Sequence, residues 1–238
     1  MSSTARFPRL SSLHSISVCG NIAGGKSWLL HEMWRATGKN LFLEPHIPRT
    51  GDFPCTAMLS FTESAIDALT RELFLKFKDA PAEYAFEFQT ALLVARSEQQ
   101  RALAVLGGAM ERCLYEDPIF ARVEHANGNF TDSQLATYMA MYDTLVKWVP
   151  VPDVVLWLDN TVETLATRVV ARGREADVGL GLSLEGRAYL QQLNMEYREH
   201  FAKCPRVVRV AWDDAPRDGD EALARVERAL ADCVACIS

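Results

Sequence analysis

Apolar residues along the chain fall into two kinds of segment that alternate. Short, largely apolar runs at 15–19, 40–43, 102–110, 153–158 and 206–210 predict five strands. Between them, apolar side chains recur every three or four residues, as Trp28, Leu29, Met33 and Trp34 do. The same period predicts helices over 57–77, 82–101, 132–148, 162–172, 184–202 and 220–233. Strands that alternate with helices imply a parallel sheet covered on both faces, a three-layer α/β sandwich. No internal repeat and no linker divides the chain, so residues 13–238 are expected to form one domain. Residues 1–12 are rich in Ser and show no sustained apolar period, and are expected to be a flexible N-terminal tail.

Composition changes this picture only by exclusion. With 49% apolar and 24% charged residues the chain can bury a core, which argues against disorder. The 25 basic and 31 acidic residues give a net charge of −6, so neither a nucleic-acid polymer nor an anionic membrane is an expected partner. No apolar run approaches the ~20 residues of a spanning helix. The six cysteines have no repeating spacing, and the Cys233-x-x-Cys236 pair lacks the further cysteines or histidines of a zinc site. A reducing, cytoplasmic setting is the expectation. Arg6 and Arg9, without neighbouring acids, leave an organellar targeting signal open.

The strongest local signal follows the first strand. Gly20, Asn21, Ile22, Ala23, Gly24, Gly25, Lys26 and Ser27 satisfy G-x-x-x-x-G-K-[ST] between a strand and a helix. Glycines let backbone N–H groups turn toward phosphate oxygens, and the following helix adds partial positive charge. Lys26 can reach the terminal phosphates and Ser27 can ligate Mg²⁺. The fold class is therefore expected to be P-loop NTPase-type. A guanine-nucleotide switch would need D-x-x-G and N-K-x-D strings, and neither occurs. A kinase needs a base for the accepting hydroxyl, an acid near Mg²⁺ and arginines that follow the moving charge.

Each of those has candidates. In doubly wound sheets the ligand crevice lies beyond the carboxyl ends of the strands. Glu44 follows the second strand, and Pro45 turns the chain out of it. Glu111 and Arg112 follow the third. Gln89, Leu92, Leu93 and Arg96 share one helix face, a candidate wall for a planar polar ligand or a plain core stripe. Arg168, Arg172 and Arg174 lead into a glycine-containing stretch, 175–182, which is a candidate mobile lid or a basic helix end.

Taken together, the phosphate loop, Glu44-Pro45, Phe88-Gln89-Thr90, Glu111-Arg112 and the string Arg172-Gly173-Arg174-Glu175 resemble the deoxynucleoside kinase family. The resemblance runs from about residue 15 to residue 212. It implies transfer of the γ-phosphoryl of ATP, with Mg²⁺, to the 5′-hydroxyl of a deoxynucleoside, by an enzyme that is usually a homodimer. It further implies Glu44 as base, Gln89 on the nucleobase edge, Arg112 near the 5′-oxygen, and Glu111 with Ser27 at Mg²⁺. Arg172 and Arg174 become an arginine lid on the phosphates, and Asp177 takes the place of an acid at the sugar 3′-hydroxyl.

Arg96, seven residues after Gln89, and Asp117, five after Arg112, match members that prefer deoxycytidine or purine deoxynucleosides over thymidine. The chain also departs from the pattern. Arg49 stands where an aromatic wall is usual. Phe77 takes the place of a tyrosine that holds the 3′-hydroxyl, and Phe120 that of the aromatic stacked on the base, each one residue out of register. A nucleoside monophosphate kinase shares the loop and lid, but the Glu-Pro and Phe-Gln pieces speak against it. A catalytically silent nucleotide-binding protein would be expected to lack Lys26, Glu44 or Arg112, and all three are present.

Overall fold

A computed structural model of the protein describes residues 6–44, 65–204 and 206–233. Arg49, Pro45 and the start of the helix expected from residue 57 lie outside them. Five strands, β1 (Ser15–Cys19), β2 (Leu41–Phe42), β3 (Gly108–Glu111), β4 (Val154–Asp159) and β5 (Val207–Ala211), form one sheet in the order β2-β3-β1-β4-β5. Every pairing is parallel. β1 and β4 are buried along their whole length, which is why β4 is a nearly continuous apolar run and β1 places only small serines between its apolar side chains.

Alternation along these strands divides the core in two. Ile16, Val18, Val154, Leu156 and Leu158 face one layer, formed with α2 (Lys26–Thr37) and α10 (Gly219–Asp232). Cys19, Val155 and Trp157 face the other, formed with α4 (Pro81–Leu106), α5 (Asp117–Ala126) and α9 (Leu184–Phe201). The remaining helices are α1 (Pro8–Ser12), α3 (Ala65–Asp79), α6 (Asp132–Leu145), α7 (Val162–Arg172) and α8 (Glu175–Leu182). Side chains cap several starts, as where Thr131 and Gln134 make a reciprocal capping box at α6. Among the described residues no helix is long and apolar enough to cross a membrane.

Two expectations are corrected, the third strand and the N-terminal tail. The third strand, placed at 102–110, is Gly108–Glu111; residues 102–106 are the last turn and a half of the 26-residue α4. A short apolar run does not distinguish strand from helix, and Val105 and Leu106 project into solvent. The glycine-containing stretch 175–182 is helical, and Gly181 allows it to pack on α7, because a Cβ there would stand 2.6 Å from the Ala166 carbonyl oxygen.

The expected flexible tail is in part structured. Pro8 opens α1, and Phe7 and Leu10 are buried against the α10 side of the core. Glu227 of α10 caps α1 from a distance, accepting from the backbone N–H of Leu10 at 2.7 Å and of Arg9 at 3.3 Å. A five-residue helix is too short to show a period, and its partner lies 217 residues away. Leu10→Ala should therefore lower unfolding free energy by about 2–5 kcal/mol in chemical denaturation, as for a buried leucine; a flexible tail would give no change.

Candidate active site

The carboxyl ends of β1, β2 and β3 and the start of α2 open onto one cavity of about 640 Å³. Ile22, Ala23, Gly24, Gly25, Lys26 and Ser27 form one end of its wall. The backbone at Gly25 (φ 93°) and Ala23 (φ 58°) is left-handed, so the loop folds back before α2 begins. A Cβ on Gly25 would also meet the Trp212 indole nitrogen at 2.7 Å. Gly20 and Asn21 lie beneath the loop and off the wall. The Asn21 amide donates to Asn194 Oδ1 at 2.7 Å, and Asn194 in turn donates to the Asn160 carbonyl at 2.9 Å. Asn160 reaches the Gly24 carbonyl at 3.4 Å. A chain of amides from α9 and the end of β4 thus fixes the loop from below.

Lys26 is buried and donates to the Gly20 and Asn21 carbonyls at 3.1 and 3.0 Å. Burial, then the nearby Arg112 charge, lowers its pKa. Ser27 Oγ donates to both oxygens of Glu111, at 3.1 and 3.0 Å, and Lys26 Nζ is 3.9 Å from the same carboxylate. Burial raises the Glu111 pKa, and the negative charge of Glu44 adds to it.

Glu44, just past β2, is 8% exposed and held by two guanidinium groups. Arg112 Nε lies 2.5 Å and Arg96 Nη2 3.1 Å from its Oε1. Arg112 directly follows β3 in a left-handed conformation (φ 64°), which costs a non-glycine residue about 1–2 kcal/mol. Its side chain then reaches Glu44, the Glu116 carboxylate, the Gly20 carbonyl at 3.1 Å and the Tyr197 hydroxyl at 2.9 Å, and stacks 4.8 Å over the Phe120 ring.

The apolar end of the cavity carries the polar wall that the helix-face pattern suggested. Phe77 and Phe88 stack with centroids 5.1 Å apart and planes at 20°. Gln89 is 3% exposed and lines the cavity, and its Oε1 has no hydrogen-bond partner among the described residues. Arg96 lines it too, paired with both Glu44 and Asp117. Asp117 itself stands behind Arg96, off the wall. Burial pushes its pKa up to about 6 although Arg96 pulls the other way.

Over the opposite side lies α8 with the end of α7. Asp177 gathers Arg172 at 2.6 Å, Arg174 at 3.4 Å and, from the last turn of α3, Lys78 at 3.9 Å. Burial, then the Arg174 charge, lowers the Arg172 pKa.

The structure therefore brings Glu44, Phe77, Phe88, Gln89, Arg96, Glu111, Arg112, Phe120, Arg172, Arg174 and Asp177 to the same cavity as the loop. Several residues that sequence reasoning passed over hold it together. Glu116 and Tyr197 brace Arg112 from beneath, and Glu116 is readable only as an acid four residues after Arg112. Arg168, which the sequence grouped with Arg172 and Arg174, lines the cavity while bound to Asn160 at 2.6 Å and to the Trp212 carbonyl at 2.7 Å. Lys78 gives no sequence signal beyond its place next to Phe77.

Comparison with known proteins agrees with this arrangement. A deoxynucleoside kinase family model matches residues 16–232. The deoxyadenosine kinase of Dictyostelium discoideum is 30% identical over 160 residues, 65% of this chain and 62% of that protein. The deoxyadenosine/deoxycytidine kinase of Bacillus subtilis (strain 168) is 27% identical over 154 residues, 61% of this chain and 68% of that protein. The chain thus matches just under two thirds of the length of the first relative. Among solved structures, deoxyadenosine kinase from M. mycoides with bound dATP shares the fold, with a TM-score of 0.69 and 23% identity over 91% of this chain and 99% of that one. With a match that extends from β1 to the end of α10, the chain belongs to the deoxynucleoside kinase family.

Proposed function

We propose that the protein transfers the γ-phosphoryl group of a nucleoside triphosphate, ATP in the first instance, to the 5′-hydroxyl of a deoxynucleoside. The observation that carries this reading is that Glu44 and the Lys26 loop line one cavity, with Arg112 between the acid and the loop. The loop's N–H groups and Lys26 hold the phosphates. Glu44 takes the proton from the 5′-hydroxyl as its oxygen bonds to the γ-phosphorus, and the bond from that phosphorus to the β-phosphate bridging oxygen breaks. Arg112, Arg172 and Arg174 follow the charge onto the leaving group and the moving phosphoryl.

Ser27 and Glu111 fit Mg²⁺, a hard cation that takes one or two carboxylates together with phosphate oxygens. Their oxygen atoms lie within 3.1 Å of one another, and the raised Glu111 pKa marks a buried carboxylate whose charge a cation would favour. When bound, Mg²⁺ would neutralise phosphate charge there. The homodimer belongs to the same reading. Exposed Val94 on α4 and Trp148 beyond α6 are large apolar side chains consistent with a helical contact.

For the acceptor, the Arg96–Asp117 pair beside Gln89 would crowd the 5-methyl group of thymine and suits a base that carries an amino group, hence deoxycytidine, deoxyadenosine or deoxyguanosine over thymidine. The relatives named for deoxyadenosine, deoxycytidine and deoxyguanosine agree. Assayed side by side with ATP and Mg²⁺, those three deoxynucleosides should be phosphorylated faster than thymidine, and phosphorylation of dCMP alone would replace this reading with a monophosphate kinase.

Two variants test the parts. Glu44→Ala should slow turnover by about two to four orders of magnitude while ATP binding, followed by calorimetry, stays nearly intact, the size of a lost general base. Asp117 titrates near 6 in the fold and near 4 when unfolded. Its contribution to stability is therefore present below about pH 4 and lost as pH rises through about 6; above that the charged pair with Arg96 is complete. Selectivity for amino-bearing bases over thymidine should accordingly fall as pH drops below about 6, and Asp117→Asn should show no such step.

A further inference from the structure

Gly20, the first residue of the phosphate loop, is buried, and its backbone carbonyl meets three donors. Lys26 Nζ and Arg112 Nη1 each lie 3.1 Å from it, and the Tyr197 hydroxyl lies 3.0 Å away. A carbonyl oxygen has two lone pairs, so the three compete for it. Each donor is also claimed elsewhere. Lys26 donates to the Asn21 carbonyl at 3.0 Å, and Arg112 Nη1 and the Tyr197 hydroxyl both donate to Oε1 of Glu116. Lys26, Arg112, Glu116 and Tyr197 are at most 5% exposed, so bulk water does not replace a partner that moves away.

The three donors differ in what a ligand does to them. Lys26 and Arg112 line the cavity, and phosphate oxygens draw both ammonium and guanidinium protons away from the carbonyl. Tyr197, on α9, lies off the cavity wall and is fully buried. Its ring packs edge-on against Phe120 and Phe201, with centroids 6.4 and 5.5 Å away, which fixes where the hydroxyl stands. A buried acceptor that loses its donors carries its full desolvation penalty. A hydroxyl avoids that by turning its single proton from one acceptor to another. Glu116 can give up that proton, because Arg112 Nη1 and the backbone N–H of Gly20, at 3.4 Å, still donate to it.

We infer that Tyr197 is a positioning residue for the phosphate loop, whose hydroxyl holds the Gly20 carbonyl once Lys26 has left it for the triphosphate. This rests on the kinase reading above and adds to it how the loop keeps its shape while its lysine changes partners. In the empty site Lys26 occupies the carbonyl and Tyr197 donates to Glu116. In the loaded site the ammonium turns to the phosphates and the Tyr197 proton turns to the carbonyl. One proton of Arg112 Nη1 stays on Glu116, and the other is free to follow the phosphoryl group. Tyr197 itself touches neither substrate.

The test is a double-mutant cycle on the full-length protein. Calorimetry measures the affinity for ATP with Mg²⁺, without acceptor, in the unaltered protein, Tyr197→Phe, Lys26→Met and the double variant. Tyr197→Phe keeps the ring and removes the hydroxyl, and it should weaken ATP binding about 3- to 10-fold, the effect of one hydrogen bond. In the Lys26→Met background the carbonyl lacks the ammonium whether or not ATP is bound. The same substitution should there change affinity by less than about twofold. An equal loss in both backgrounds makes Tyr197 a static brace, and no loss in either removes it from the loop. Both results overturn the inference and leave the kinase reading standing. A crystal structure of the unaltered protein with ATP reads the same point without any variant. Lys26 away from the Gly20 carbonyl and the Tyr197 hydroxyl on it is the expected result; Lys26 still on it, or the hydroxyl turned away, overturns the inference. Failure of the unaltered protein to bind ATP sinks the kinase reading, and this inference with it.

Discussion

Arg112 is the side chain through which the site's separate parts are joined. It is 4% exposed and meets Glu44, Glu116, the Gly20 carbonyl, Tyr197 and the face of Phe120. These come from the end of β2, the segment after β3, the phosphate loop, α9 and α5. Buried acids are tolerated only where cations offset their desolvation. Glu44, Glu111, Glu116 and Asp117 are all buried beside Lys26, Arg96 and Arg112. That leaves one more negative than positive charge among these seven. Removal of one partner from such a buried pair typically costs about 3–5 kcal/mol, so the same contacts that orient Glu44 also hold the cavity in shape.

Much of this was legible from the sequence because its signals are local. The phosphate loop declares itself in eight consecutive residues, and β1 and β4 in runs whose every side chain is buried. Glu44 was found by its place at a strand end, where topology puts ligands. What stayed hidden depends on distant partners. The docking of α1 needs Glu227, and the bracing of Arg112 needs Tyr197. The run 102–110 misled because the end of a long helix and the start of a buried strand are both apolar, and only the Gly107-Gly108 turn separates them. Asp117 reads as a ligand contact in the sequence pattern but acts from behind, through Arg96.

The two ends of the cavity are built differently. The loop, Glu44 and the Glu111–Arg112 pair are fixed by backbone geometry at strand ends, which leaves little freedom. The other end is lined by side chains on α3, α4, α5 and α8, where a single replacement changes the hydrogen-bonding groups without touching the sheet. Relatives named for different deoxynucleosides fit that division.

The sheet's two borders also matter beyond the site. On one side β2 is two residues long, and on the other β5 presents Arg209 outward, tied to Asp159 by a hydrogen bond of 2.7 Å. A strand left at a border normally exposes a row of free N–H and C=O groups on which a stray chain can grow. Here one border is brief and the other carries an outward charge, both of them features that oppose edge-to-edge pairing of folded copies.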